Sequence, residues 1–223
     1  MNPSLDFVDR VIGASNVQVR EKMSCAIKWS GSAAWIRVRA NGSAKLRFPP
    51  EDLSMCGRLS QYRGIHDFVA ALSMPGALAN TVGDLPIERY NVAPTTRVAL
   101  LHQEGEALHA DLVRWGWRPH WAKDRTAPIN ARVEKVAHGP FFRAIWPRRA
   151  ITPIDNWFEW VDEGGPKKQP YLIRRRDGAP IMCAAIGQYP ADSQEPGEHD
   201  GFVIITADSA GGMVDIHDSG QSF

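Results

Sequence analysis

Cysteine is scarce in this sequence. Cys25, Cys56 and Cys183 are the three in 223 residues, and no two form a CxxC pair. That excludes a disulfide-stapled scaffold and the common zinc patterns, and it fits a reducing compartment. A surplus of one charge is also missing. Lys and Arg number 26 against 25 Asp and Glu, a net charge of +1. Any binding of nucleic acid must then come from a local basic patch rather than a global field. No apolar run approaches the length of a bilayer span. The opening stretch MNPSLDFVDRVIGAS has neither the basic nor the apolar region of a secretory signal. Internal repeats and low-complexity segments are absent too. A soluble cytoplasmic protein is expected, with no membrane partner.

What remains is ordinary globular material, 43% hydrophobic and 23% charged, enough for one domain with an appendage. Residues 1–54 end in a Pro-Pro breaker and carry no recognisable chemistry. At Met55 the texture changes. Ile65, Phe68, Val69 and Leu72 recur at helical spacing between Gly64 and Pro75, which predicts a short amphipathic helix. From Arg97 onward the pattern is strands: RVALLH, DLVRWGW, RRAITPI, WFEWV, PYLIRRR, PIMCAAIG and GFVIITA, separated by turn clusters. One helical turn or a short helix is expected after Pro140. The strands lie too close together for βαβ units. The expected fold is therefore α+β, a mainly antiparallel, barrel-like β-sheet with flanking short helices.

Several residues could carry chemistry. Cys56 follows a methionine in MCGR. If translation starts at Met55 and that methionine is removed, Cys56 presents an α-amine and a thiol on one residue, with pKa values of about 8 and about 8.5. Such a 1,2-aminothiol captures an aldehyde as an imine and closes it to a thiazolidine, which an internal cysteine cannot do. An ordinary buried cysteine is the plainer alternative. Glu159, in NWFEWV, is either a solvent-face carboxylate or a desolvated one suited to acid/base work. Alternation puts it with Trp157 on one strand face, and Phe158 and Trp160 on the other. His217, in VDIHD, could shuttle protons. Asn130 offers an amide, and Arg132 and Arg58 planar forks that match phosphate. The run RWGWRPHWAKD interleaves tryptophans with cations, as a binder of unpaired strands does. Trp121 is the better stacking candidate there. Trp115 and Trp117 could equally be core.

In series, MCGR, RYNVAPTT, RWGWRPHWAKD, PINARVEKV, NWFEW, KKQPYLIRRRDG, AAIG, GFVIITADS and VDIHD resemble the SOS response-associated peptidase (SRAP) family of abasic site processing proteins, over residues 55–218. The resemblance implies a compact β-barrel-like fold with a positively charged groove. It also implies covalent capture of abasic sites in single-stranded DNA by Cys56, with Asn130, Glu159 and His217 as catalytic partners. Arg58 and Arg132 become phosphate clamps, and Trp121 and Trp160 lie near the bound strand. Autopeptidase and lyase activities follow from the same chemistry. No metal, no cofactor and a monomer are expected.

Two departures from the family pattern shape the expected domain plan. Residues 1–54 read as a non-family N-terminal extension, from a misassigned start with the true one at Met55, or a leader removed by autocleavage or another protease. Residues 55–223 read as a SRAP domain lacking the usual C-terminal portion. The rival readings are a cysteine-dependent peptidase acting on proteins, a non-enzymatic single-strand binder and a non-functional truncated family member.

Overall fold

A computed structural model describes residues 57–72, 77–161, 164, 166–175, 177–189 and 197–206, together with the backbone course of 20–22, 28–29, 34–40 and 42–48. In chain order the strands are β1 (Arg20–Lys22), β2 (Lys28–Trp29), β3 (Ala34–Ala40), β4 (Gly42–Phe48), β5 (Leu59–Gln61), β6 (Leu78–Asn80), β7 (Arg89–Val92) and β8 (Arg97–Glu104). They continue with β9 (Ala107–Arg114), β10 (Asn130–Arg132), β11 (Arg149–Ile154), β12 (Asn156–Val161), β13 (Gln169–Ile173), β14 (Ile181–Gln188) and β15 (Gly201–Thr206). Two helices are described, α1 (Ile65–Leu72) and α2 (Val133–Val136).

The predicted helix forms as expected and buries Ile65 and Phe68. Each of the seven apolar runs becomes a strand. The segment after Pro140 makes a single helical turn, with the Trp146 amide donating to the Phe142 carbonyl at 2.9 Å.

The barrel is where expectation fails. The strands form two open sheets, in the orders β1-β13-β12-β5-β7 and β10-β15-β14-β11-β8-β9-β6, and β2-β3-β4 form a third, smaller sheet. The pairing is mainly antiparallel, but β10 with β15 and β6 with β9 are parallel at the two edges of the seven-stranded sheet. Asp155 explains the break. It is the single residue between β11 in one sheet and β12 in the other, so the chain turns a corner there, as strands that switch sheets do in sandwiches. The corner is pinned to the segment after β5. The Asp155 carboxylate accepts from the Tyr62 amide at 2.7 Å and pairs with Arg63 at 2.6 Å.

Two cores result. Leu59, Val92, Trp157, Tyr171 and Ile173 of the five-stranded sheet meet Val98, Leu100, Ile154, Cys183, Phe202 and Ile204 of the seven-stranded sheet. On the far face of the seven-stranded sheet, Ala99, Leu101, Ile151, Val203 and Ile205 pack with Ile65, Phe68, Val136 and Ile145. The seven-stranded sheet is thus the middle layer, with sheet on one side and helices on the other.

Pro153 leaves a gap in that middle layer, because proline has no N–H to give a ladder. The β8–β11 pairing covers Leu101 and His102 but goes no further along β8. Gln61, wholly buried on β5, fills the gap from the opposite sheet. Its amide donates to the Ala99 carbonyl at 2.9 Å and the Pro153 carbonyl at 2.7 Å, and its oxygen accepts from the Ala99 amide at 3.0 Å. Gln61→Leu strands these buried backbone groups. It is expected to lower stability by about 2–4 kcal/mol, read as a shifted denaturant midpoint. An unchanged midpoint would show that the carboxamide does not bind the two sheets together.

Candidate functional site

The short strand β5 brings Arg58 to β12. The Phe158 amide donates to the Arg58 carbonyl at 3.0 Å, which continues the pairing of Leu59 with Trp157. Arg58 is 7% exposed. One guanidinium nitrogen reaches the Asn91 carboxamide oxygen at 3.4 Å, while its Nε is buried with no hydrogen-bond partner among the described residues. Burial pulls the guanidinium below its ordinary pKa, though arginine stays charged. A buried cation held this way is suited to receiving an anion. Asn91, in RYNVAP, was not singled out from sequence. Nothing in the sequence marks it as the partner of Arg58.

Glu159 is buried, at 3% exposure, and sits opposite Tyr171 in the register of β12 and β13. Tyr171 and Trp157 both belong to the core between the sheets. Alternation therefore turns Glu159 to that same inner side. The desolvated alternative is the one observed. Phe158 and Trp160 share the other face, their rings 6.3 Å apart. Trp160 is partly buried.

Asn130 and Arg132 begin and end β10, the edge strand of the seven-stranded sheet, opposite Ile204 and Thr206. Ile204 belongs to the inter-sheet core, and Ala131 to the helix-side core. Asn130 and Arg132 therefore lie on the face that looks toward the five-stranded sheet, the side to which Glu159 turns. The Asn130 Oδ1 is buried and has no hydrogen-bond partner among the described residues. Arg132 is half-buried and pairs with Glu134 at 3.2 Å.

Trp121 stands apart. It is 59% exposed in the loop after β9 and meets Phe141 edge-on at 5.8 Å, on the helix side of the seven-stranded sheet. Trp115 and Trp117 are core, each 1% exposed. The described residues thus bring Asn130 and Arg132 together, turn Glu159 to the same inter-sheet side, and place Arg58 beside Phe158. They do not bring Trp121 to the others. Cys56 and His217 lie outside the described residues.

A second buried polar group is structural. His102 Nε2 and Asp111 Oδ2 are 2.8 Å apart, and the Thr81 hydroxyl donates to Asp111 Oδ1 at 2.6 Å. Burial raises the Asp111 pKa, but the hydrogen bonds from His102 and Thr81 outweigh it and leave the carboxyl below its ordinary value. The cluster ties β8, β9 and the end of β6 together.

Residues 55–219 match the family described as SOS response associated peptidase (SRAP). The chain is 46% identical over 165 residues to the abasic site processing protein YedK of Escherichia coli, covering 74% of this chain and 72% of that protein. It is 31% identical over 173 residues to the abasic site processing protein YoaM of Bacillus subtilis, covering 74% and 72%. Among solved structures, a phage-related protein of Bordetella bronchiseptica superposes with a TM-score of 0.58 at 32% identity, covering 74% of this chain and 76% of that one. A protein from Bacteroides thetaiotaomicron shares the fold, with a TM-score of 0.55 at 23% identity over 74% and 75% of the two chains.

Proposed function

The chain belongs to the SOS response associated peptidase family, and from that premise we propose that it senses abasic sites in single-stranded DNA by bonding to them covalently through Cys56. The observation that carries the reading is two buried polar atoms left unsatisfied among the described residues. Arg58 Nε and Asn130 Oδ1 are both buried with no hydrogen-bond partner among the described residues. One suits a strand phosphate and the other a nitrogen donor, and an abasic strand bound to an N-terminal amine supplies both. The printed names of the relatives, abasic site processing proteins, agree with it.

In the proposed mechanism the Cys56 α-amine adds to the C1′ aldehyde of the ring-opened abasic sugar. Loss of one water gives an imine. The Cys56 sulfur then adds to the imine carbon, and the thiol proton passes to nitrogen, closing a thiazolidine. Glu159, held desolvated, moves protons during ring opening and dehydration. His217 protonates the departing sugar oxygen or assists the thiol. Asn130 Oδ1 accepts from the attacking amine, and Arg58 and Arg132 hold the flanking phosphates. The imine stage also admits strand cleavage by β-elimination.

The test compares protein beginning at Cys56 with the same protein acetylated at that amine, each mixed with abasic single-stranded DNA and resolved on a denaturing gel. The free amine is expected to give an adduct and the blocked amine none. Equal adduct from both rules out the ring closure. Peptide cleavage that survives acetylation, without any adduct, favours a thiol peptidase instead.

The phosphate clamps make a separate prediction. Arg58→Ala and Arg132→Ala are each expected to weaken strand binding and to reduce the slope of log K against log salt by about 0.7, the counterion release of one single-strand phosphate contact. Anisotropy titrations over a salt series measure it. A wild-type slope in both variants removes them as clamps.

A further inference from the structure

The chain leaving β9 and the chain entering β15 enclose a cavity of about 300 Å3, lined by Arg114, Arg118, His120, Lys123, Glu198 and His199. The two segments meet because the Gly116 amide donates to the Phe202 carbonyl at 2.8 Å. Alternation from Ala110 and Leu112, which pack on the helix-side core, puts Arg114 on that side of the middle sheet. Asn130 and Arg132 face the other way, and β10 pairs with the far end of β15. The cavity is therefore separate from the candidate site.

Both walls are set by hydrogen bonds of their own. In the first, the Ala122 amide donates to the Pro119 carbonyl at 2.9 Å and the Arg125 amide to the Ala122 carbonyl at 3.1 Å. Arg118 ties this loop together, donating to the carbonyls of Lys123 at 2.5 Å and Arg125 at 2.6 Å. In the second, the Gly197 amide donates to the Asp200 carboxylate at 2.7 Å, and the Asp200 amide returns to the Gly197 carbonyl at 3.2 Å. Glu198 and His199 occupy the middle of that turn. A cavity with walls fixed in advance loses little freedom when a ligand enters. Its charge is unbalanced. Arg114, Arg118 and Lys123 face one carboxylate, Glu198. Among the described residues no ion pair joins a carboxylate to these three cations. The Arg114 Nε is also buried with no hydrogen-bond partner among the described residues. His120 and His199 add ring nitrogens. Pro119 is the one apolar residue in the lining, so recognition here rests on charge and hydrogen bonds.

We propose that this cavity binds a sugar phosphate through its terminal phosphomonoester. A phosphomonoester carries close to two negative charges and three acceptor oxygens, which suits several donors converging on one point better than a singly charged backbone diester does. Arg114 and Lys123 hold the phosphate, with the imidazoles of His120 and His199 beside them. Arg118 positions the loop. Glu198 would repel a bare phosphate, but it accepts hydrogen bonds from the hydroxyls of a sugar that carries one. The volume is at the small end of the range for ligand pockets, which matches a single phosphorylated sugar. The site is independent of the covalent chemistry at Cys56.

The test titrates ribose 5-phosphate, inorganic phosphate and ribose into the full chain and follows the NMR signals of the His120 and His199 rings. Ribose 5-phosphate is expected to shift both saturably and to bind about tenfold more tightly than phosphate, with ribose inert. Arg114→Gln and Lys123→Glu should each weaken it by about tenfold. Melting curves check that both variants are folded, and Lys123 is exposed, so its replacement leaves the sheet untouched. Glu198→Ala should abolish the preference for the sugar phosphate over phosphate. Ring signals that do not move, wild-type affinity in the folded Arg114→Gln and Lys123→Glu proteins, or ribose binding as well as its phosphate each overturn the site. Equal affinity of the wild-type protein for phosphate and ribose 5-phosphate overturns the sugar assignment. Competition by base-complete dodecamers, one with a 5′-phosphate and one with a 5′-hydroxyl, identifies the source. Displacement by the phosphorylated strand alone places the monoester at a strand end, and displacement by neither makes it a free sugar phosphate. Equal displacement by both shows that the cavity takes backbone diesters, which overturns the monoester assignment.

Discussion

Cys56→Ala is expected to leave no detectable covalent adduct with abasic single-stranded DNA, while intact-strand affinity stays within about twofold of wild type. The size of the effect follows from the chemistry. Alanine keeps the α-amine and can still form an imine, but without sulfur the imine hydrolyses or eliminates, and no ring closes. Cys183 offers no substitute. It is wholly buried in the core between the sheets, and burial pushes its thiol well above the ordinary value, so it holds little thiolate to react. Cys183→Ala is therefore the control and should crosslink normally. Glu159→Gln should behave differently from Cys56→Ala, slowing adduct formation by about 10²- to 10⁴-fold without lowering the final yield, as removal of a proton-transfer group does. Denaturing gels over a time course distinguish the two patterns. A normal yield from Cys56→Ala overturns the nucleophile assignment, and a normal rate from Glu159→Gln removes the carboxylate from the proton path.

The strands were legible because their signals are local. Short apolar runs such as RVALLH and GFVIITA, and the helix between Gly64 and Pro75, announce themselves within a few residues. Glu159 could be placed on a strand face beside Trp157 by counting alone. Whether that face was solvent or core depended on Tyr171 pairing opposite it, a contact between strands that sequence does not print. The two-sheet arrangement was hidden for the same reason. Asp155 reads as an ordinary loop residue until the Tyr62 amide and Arg63 are seen converging on its carboxylate. Pro153 was visible inside an apolar run. The group that compensates for it, Gln61, lies 92 residues away on another sheet. The Trp/Arg run was legible as a composition but not as a geometry. Trp115 and Trp117 turn into the core, and Trp121 turns out against Phe141.

Gly201→Ala is expected to cost about 3–5 kcal/mol, enough to deprive a marginally stable domain of most of its soluble folded fraction. A Cβ at Gly201 would lie 2.4 Å from the Gly116 carbonyl oxygen and 3.2 Å from that of Arg114. Both obstacles are backbone, so no side chain can swing aside. They cannot retreat either, because the Gly116 amide donates to the Phe202 carbonyl at 2.8 Å and Trp115 bridges to Phe202. Gly116 itself has φ +123°, a conformation that L side chains rarely adopt. Gly187 completes the crossing, its would-be Cβ 2.7 Å from the Gly201 carbonyl oxygen. Three glycines thus let β9, β14 and the start of β15 approach closely. Since β15 carries β10, the same crossing sets where Asn130 and Arg132 stand. Gly197→Ala, four residues earlier, meets only the Asp200 side chain at 3.6 Å and should melt close to wild type. Thermal melts of the two variants make the comparison. A Gly201→Ala protein that melts with wild type and crosslinks at the wild-type rate would mean that the strands do not cross as closely as described, and the placement of β10 beside β15 would fall with it.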